Sequence, residues 1–140
     1  MRSYKQVLAI RKKNEERIKN LCKNIKNESG IYIFFKTDEN GFRKCYCGQA
    51  RHLIERLAQH LNEYDYIGLS LKKYGLKNEN KNGWDINYYY CDLEKLDEEE
   101  RKAIKNWYNR GYIPMNKTIG GQNAGKVGLN ANKPAKGYRD

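Results

Sequence analysis

The apolar positions near the N terminus follow the spacing of one helical face. Five aliphatic residues recur at three- and four-residue helical steps: Val7, Ile10, Ile18, Leu21 and Ile25. This spacing predicts an amphipathic helix over residues 4–27, whose other faces carry basic side chains. Arg11 and Asn14 interrupt the apolar stripe, so we expect its middle to pack less tightly. Residues 27–30, with Asn27 and Gly30, have the composition of a turn that ends the helix.

Three later segments have the composition or alternation of β-strands. Residues 31–35 are β-branched and aromatic, and residues 42–48 return after a turn that contains Asn40 and Gly41, so the two segments predict a hairpin. In residues 84–91, large apolar or aromatic side chains recur at every second position, which predicts a third strand. One face of that strand carries four large side chains: Trp84, Ile86, Tyr88 and Tyr90.

The remaining periodic segments predict helices over residues 51–62 and 67–74, and a last one that begins near Leu96. Asp97 is the expected cap of the last helix, and Gly111 is expected to end it. The order of elements predicts an α+β fold: a small three-stranded antiparallel sheet flanked by helices, with an added N-terminal basic helix and a Gly/Lys-rich C-terminal tail. We expect three parts: the helix over 1–28, a catalytic domain over 29–121, and a basic flexible tail over 122–140.

Composition narrows the class of protein. The 140 residues are 39% hydrophobic and 32% charged, and no apolar run approaches the roughly 18 residues of a membrane span. The basic first 27 residues do not resemble a signal peptide. We therefore expect no membrane partner and a cytoplasmic location, in a bacterial or phage-infected cell.

The cysteines do not suggest a metal site. Cys45 and Cys47 form a C-x-C pair on a predicted strand, which differs from the spacing of structural zinc sites. Both side chains should lie on one face of the strand as small core residues. No secretory signal supports disulfides, so a reducing compartment is expected.

The net charge of +11 is concentrated at the two ends of the chain. Residues 1–27 hold nine basic and two acidic residues, a net +7, and residues 117–140 contribute a net +4, whereas residues 28–116 sum to zero. An A·T-rich genome would explain abundant lysine, but it would not explain a neutral middle between two positive ends. The charge therefore favours a nucleic-acid partner. The residues expected to contact DNA are Lys12, Lys19, Arg51, Lys117 and Lys126.

Two short motifs bracket the predicted hairpin. Gly30-Ile31-Tyr32 and Tyr46-Cys47-Gly48 come together when the hairpin forms, and a suitable register places the two phenols on one face. The following helix carries Arg56 and His60, which are four residues apart and share a face.

This ordered set resembles the GIY-YIG nuclease superfamily over about residues 29–121. Gly30-Ile31-Tyr32 and Tyr46-Cys47-Gly48 resemble its two motifs, with Cys47 where isoleucine is usual, and Arg56 follows Gly48 by eight residues. We expect Cys47 to face away from Tyr46. The segment 96–104 resembles the helix that carries the family glutamate, and residues 114–121 resemble the end of some members.

The resemblance implies a phosphodiester hydrolase that uses Mg²⁺ or Mn²⁺ and no small-molecule cofactor. Tyr32 would be the general base, Tyr46 would position the water or the phosphate, and Arg56 would stabilise the phosphate charge. His60 would be an alternative general base or would support Tyr32 in that role. Asn116 would hold the phosphate or order the groups around the metal. Glu100 would bind the metal, with Glu98 and Glu99 as rivals; helical phase favours Glu100 because it lies four residues before Ile104.

Each of these residues also has an ordinary structural explanation. A strand tyrosine usually packs, a helix arginine such as Arg56 often pairs with a nearby Glu55 or Glu63, and a run of acids is favourable at a helix start. The sequence therefore predicts a small DNA endonuclease of phage, mobile-element or restriction type. The alternatives are a nucleic-acid-binding module with the same fold that does not cut, and an interaction protein whose basic ends bind acidic partners. The sequence leaves open whether the protein is a monomer or a homodimer.

Overall fold

The computed structural model describes residues 2–116 and shows an α+β arrangement. The helices are α1 (Tyr4–Leu21), α2 (Leu53–His60), α3 (Tyr66–Tyr74) and α4 (Leu96–Asn109). The strands are β1 (Gly30–Thr37), β2 (Arg43–Ala50), β3 (Asp85–Tyr90) and β4 (Ile113–Pro114). The predicted tail over 122–140 lies outside the described residues. Within residues 2–116, no helix combines the length and apolarity needed to cross a membrane.

The sheet has four strands in the order β3-β1-β2-β4, so the expected three-stranded antiparallel sheet was wrong in detail. Strand β1 pairs antiparallel with β2 and β3, whereas β4 runs parallel to β2. A strand of two residues, one of them Pro114, is too short to show an alternating pattern, so β4 could not be predicted from periodicity.

Helix α1 is shorter than the predicted 4–27. It ends at Leu21, and Asn24 then adopts a left-handed backbone conformation with φ of 68°. Ile25 lies after the helix, but it is buried and fits the apolar spacing. This is why the spacing predicted a helix longer than α1. Packing is weakest at the N-terminal end rather than in the middle, since Val7 is 44% exposed while Asn14 and Ile18 are buried.

The sheet separates two apolar clusters. On one face, Tyr32 and Phe34 pack with side chains from α1, α2 and α3. On the other face, Ile31 and Ile33 pack with Cys45 and Cys47 and with α4. The prediction that both cysteines are core residues on one strand face is confirmed, and Ile86 and Tyr88 share a face of β3 as expected. Consequently, candidate site residues on β1, β2 and α2 are held by a rigid core.

Candidate active site

The register of the hairpin brings the two predicted tyrosines to one face. Tyr32 on β1 lies opposite Gly48 on β2, and Phe34 lies opposite Tyr46. A β-carbon on Gly48 would lie 2.2 Å from the Tyr32 phenol oxygen. Residue 48 must therefore be glycine for the Tyr32 ring to occupy its present position, which gives a steric reason for the end of the second motif.

His60, at the end of α2, lies against both phenols. Its Nε2 is 2.6 Å from the Tyr32 hydroxyl oxygen. The imidazole centroid lies 5.3 Å from that of Tyr32 and 5.5 Å from that of Tyr46, and both ring pairs meet edge to face. The side chains of Tyr32 and His60 are essentially inaccessible, at 2% and 0% exposure. The predicted pair of phenols is thus assembled around a buried histidine.

Burial fixes the protonation states of these groups. Burial first, and then the nearby Arg56 guanidinium, lower the pKa of His60 to about 3, so the imidazole is neutral at pH 7. Burial raises the pKa of Tyr32 well above its ordinary value, although Arg56 acts in the opposite direction. Burial and nearby Asp65 raise the pKa of Tyr46 to about 12. In the resting protein both phenols therefore keep their protons.

Arg56 lies on α2 beside this cluster and is already partly engaged. Its Nη1 donates to Glu63 at 2.9 Å and to Gln59 at 3.1 Å. The ion pair is partly open to water, since both side chains are about one-third exposed, so it contributes little to stability. The guanidinium is thus held near Tyr32 by an ion pair that is partly open to water.

Glu63 pairs with Arg56, as the sequence had suggested for Glu55 or Glu63, but its contact with His60 was not predicted, because Glu63 lies in the loop after α2 and outside every motif. Its Oε1 lies 3.1 Å from Nδ1 of His60, while its Oε2 accepts from Arg56. Within residues 2–116, neither Oε1 nor Nδ1 has a well-aligned hydrogen-bond partner. A carboxylate at this position favours the proton on Nδ1 and leaves Nε2 free to accept from Tyr32. Only a structure could have shown this contact.

Glu100 on α4 reaches the same end of the sheet from the other face. Its Oε1 accepts from Nε2 of Gln49 at 2.6 Å, and Oδ1 of Asp97 accepts from the same nitrogen at 2.7 Å. Burial raises the pKa of Glu100, and the Gln49 hydrogen bond opposes that shift. Glu100 also lies close enough to contribute to the raised pKa of both Tyr32 and Tyr46. Gln49 was missed because a glutamine in a strand carries no motif.

The rival acids have other partners. Glu98 pairs with Lys102, and Glu99 contacts both Lys102 and the Tyr89 hydroxyl. Asp97 was expected to cap the last helix, and this was wrong. A 3₁₀ turn over Leu93–Lys95 precedes the helix, the cap position is Lys95, and no side chain caps it. Of the three candidate glutamates, Glu100 is the one that contacts Gln49 at this end of the sheet.

Asn116 was expected near the phosphate or the metal, and the structure places it at the edge of β2. Its Oδ1 accepts from the Cys47 backbone N–H at 3.1 Å, and its Nδ2 donates to the Cys47 carbonyl at 2.6 Å. The buried amide therefore completes the hydrogen bonding of β2 beyond β4, which positions Tyr46 and Gly48 indirectly. Cys47 itself packs on the face opposite Tyr46, as expected.

The predicted DNA-binding residues lie on the surface where the structure describes them. Lys12 and Lys19 are exposed on α1, and Arg51 is exposed between β2 and α2. Arg51 borders a groove of about 360 Å³ that Gln49 and Asp97 also line, next to Glu100. Lys117 and Lys126 lie outside the described residues.

Two groups of side chains offer metal ligands. Glu100 and Asp97 provide carboxylate oxygens, the donors that Mg²⁺ prefers, so this pair fits the implied cofactor. His60, Glu63 and Asp65 form a second group, whose potential ligand atoms all lie within 4.8 Å of one another. Its nitrogen donor suits a transition metal such as Zn²⁺ better than Mg²⁺.

Comparisons of the chain with protein-family models, with curated proteins and with solved structures find no match. The geometry brings Tyr32, Tyr46, Arg56 and His60 together on one face of the sheet, with Glu100 at the same end of the sheet on the other face.

Proposed function

We propose that the protein is a small divalent-metal-dependent DNA endonuclease of the GIY-YIG type, which hydrolyses one phosphodiester bond at a time. The observation that carries this proposal is the hydrogen bond of 2.6 Å between the Tyr32 phenol and a neutral, buried His60, beside Arg56. A phenol in this setting has both an adjacent proton acceptor and a cation that favours its ionised form.

Tyr32 is the proposed general base and His60 is its proton acceptor. With the His60 proton on Nδ1, the Tyr32 hydroxyl donates to Nε2 at 2.6 Å. Transfer of that proton to Nε2 creates a phenolate that can accept a proton from the attacking water. Glu63 stabilises the resulting imidazolium through its contact of 3.1 Å with Nδ1. This arrangement follows the same logic as other base chains in which a carboxylate orients a histidine.

Access to Tyr32 requires a rearrangement, because its side chain is 2% exposed. In the proposed mechanism, the scissile phosphate takes the Arg56 guanidinium away from Glu63, to which it donates at 2.9 Å. Arginine presents fixed, permanently charged donors that match the oxygens of a phosphate. The exchange stabilises the charge of the transition state, frees Glu63 to act on His60, and opens the path of water to Tyr32.

Glu100, with Asp97 beside it, is the proposed holder of the metal ion. A bound Mg²⁺ or Mn²⁺ polarises the phosphate and assists departure of the 3′ oxygen. Gln49 donates to both carboxylates and holds them at the same end of the sheet as Tyr32. Tyr46, whose ring also contacts His60, is placed to orient the water or the phosphate.

DNA is the proposed partner because basic side chains are exposed beside Glu100 and along α1. Arg51 lines the groove next to Glu100, and Lys12 and Lys19 extend the basic surface along α1. Such side chains bind the phosphate backbone with little dependence on base sequence. A single site cuts one strand, so a double-strand break requires a dimer or two successive nicks.

A binding module that does not cut is the second candidate. Two observations favour it: the raised pKa of Tyr32 and the ion pair that occupies Arg56 in the resting structure. Both would be found in a fold that retains the site but performs no chemistry.

The endonuclease and the binding module can be separated by measuring how Glu100→Gln binds and cleaves one DNA duplex. A nuclease loses cleavage in Mg²⁺ while its dissociation constant changes less than about threefold. Glu98→Gln is the matched control, since Glu98 lies on the same helix and pairs with Lys102. Wild-type protein that binds DNA without cutting it in Mg²⁺ or Mn²⁺ would establish the binding module instead.

A further inference from the structure

Lys36 is a buried cation that the proposed mechanism does not use. It lies on β1, with its ammonium 3.7 Å from the centre of the Tyr74 ring and 5.8 Å from that of Trp84. The residue is 9% exposed, and within residues 2–116 no hydrogen bond or ion pair engages its ammonium group. Contact with aromatic faces offsets only part of the cost of removing such a charge from water.

The ammonium faces a groove of about 410 Å³ that carries two further cations. Lys44 is the cross-strand neighbour of Lys36 on β2, and Lys73 approaches the same Tyr74 ring to 5.2 Å. Asp38 and Glu39 also line the groove. The Asp38 carboxylate is already engaged, since one oxygen accepts two backbone N–H groups of its turn and the other lies 3.8 Å from Lys44.

We propose that the groove around Lys36, Lys44 and Lys73 binds a phosphate group of the nucleic-acid strand, at a distance from the point of cleavage. A phosphate supplies the acceptor oxygens that the Lys36 ammonium lacks, and Lys44 and Lys73 add charge on either side. The flat ring of Tyr74 offers a surface against which the attached sugar or base packs. The choice of nucleic acid as the source of the phosphate rests on the proposed function, whereas binding at the groove does not depend on cleavage.

The position of the groove suits a strand that continues from the candidate active site. Lys36 and Tyr32 lie on the same face of β1 and are four residues apart, which is about 13 Å along a strand. This distance is well within one turn of B-form DNA, about 34 Å. One bound strand can therefore contact Arg56 at one end and Lys36 at the other, so the groove sets the orientation of the substrate.

Lys36→Met tests the proposal, because methionine keeps an apolar stem against Tyr74 and removes the charge. Duplex affinity is measured in EDTA from low to moderate salt, so that cleavage plays no part. We expect three- to tenfold weaker binding at low salt and a log–log salt slope that is smaller by about 1. Lys105→Met, at an exposed position on α4, removes the same charge elsewhere and should leave the slope unchanged. An unchanged slope in a folded Lys36→Met protein would overturn the proposal.

Two further measurements keep the test decisive. Lys73→Met is a second variant at an exposed position and should also lower the slope, whether or not Lys36→Met folds. The indole N–H of Trp84, which donates to Ser70, provides an NMR signal at the groove that should shift on addition of duplex. A shift produced by inorganic phosphate, without any effect of the variants on duplex binding, would identify a small-anion site and contradict the nucleic-acid assignment. If the protein binds DNA with the predicted salt slopes but does not cut it, the endonuclease proposal fails. The proposal of a phosphate-binding groove at Lys36 then still stands.

Discussion

The Tyr32 hydroxyl and Nε2 of His60 share a hydrogen bond of 2.6 Å in the interior of the protein. Neither residue is charged at rest, since burial raises the pKa of the phenol and lowers that of the imidazole to about 3. A short contact between two neutral proton carriers costs little to keep buried. We propose that this pair becomes chemically useful when a bound phosphate and metal favour the charged forms.

Tyr32→Phe should abolish cleavage while the protein remains folded. Loss of a general base lowers turnover by about 10²–10⁴-fold. The vacant Nε2 of His60 should also lower the free energy of unfolding by about 1–3 kcal/mol, because a buried acceptor loses its partner. Single-turnover cleavage and chemical denaturation measure the two effects.

The control for this variant is Tyr108→Phe, since Tyr108 is half exposed on α4. It should change neither quantity. Cleavage by Tyr32→Phe within threefold of the wild type would show that the phenol does not act as the base.

Gly48→Ala should lower stability because the new β-carbon would lie 2.2 Å from the Tyr32 oxygen. The new β-carbon would clash with the Tyr32 ring, so the loss of stability should largely disappear when Tyr32 is replaced by the smaller leucine. A double-mutant cycle with Tyr32→Leu measures this coupling from thermal or denaturant unfolding. We expect a coupling energy of about 1–3 kcal/mol, and additive effects would contradict the steric account.

Stability should fall on acidification, partly because of His60. Its pKa in the folded protein is about 3, compared with an ordinary value of 6.5, so the unfolded chain binds more protons between these values. The free energy of unfolding therefore falls as the pH drops below about 6.5, by up to about 2 kcal/mol between pH 7 and pH 5.

His60→Gln should lose this part of the pH dependence. Denaturation of both proteins at pH 7 and pH 5 gives the comparison, and His52→Gln, at an exposed position, is the control. The same loss of stability in wild type and His60→Gln would show that the imidazole is not held neutral by the fold.

The location of the metal can be tested independently of cleavage. Mn²⁺ binding followed by electron paramagnetic resonance should weaken at least tenfold in Glu100→Gln, because the proposed site depends on that carboxylate. Glu63→Gln should leave binding within about threefold, since Glu63 belongs to the group with His60 and Asp65. The reverse result would assign the metal to the histidine-containing group.

The three longer strands and the hairpin could be predicted because they follow local composition and periodicity. The sequence left the hairpin register open, and the structure has the register that places Tyr32 and Tyr46 on one face. Alternation along β2 predicted that Cys47 faces away from Tyr46, and the structure confirms it. Helical spacing likewise singled out Glu100 among three neighbouring acids. Of these three acids, Glu100 accepts a hydrogen bond from Gln49 at this end of the sheet. Metal binding by Glu100 stays a prediction.

The features that were missed depend on contacts between distant parts of the chain. β4 is a strand only because its two residues lie beside β2. The Asn116 side chain accepts from the Cys47 backbone N–H, which is 69 positions away in sequence. The Arg56–Glu63 pair could be suggested from sequence, because the two residues are seven positions apart. The contacts of Glu63 with His60 and of Gln49 with Asp97 and Glu100 appear only when the helices and the sheet are assembled. Asp97 failed as a cap for the same reason, since its carboxylate accepts from Gln49 instead.

Incubation of supercoiled plasmid with the wild-type protein tests the central claim most directly. In Mg²⁺ the account predicts nicked circles, and it predicts no nicking in EDTA. DNA ligase should seal these nicks, because breakage of the bond between phosphorus and the 3′ oxygen leaves a 3′-hydroxyl and a 5′-phosphate. Plasmid that stays supercoiled in Mg²⁺ and in Mn²⁺, although the protein is bound to it, would contradict the account.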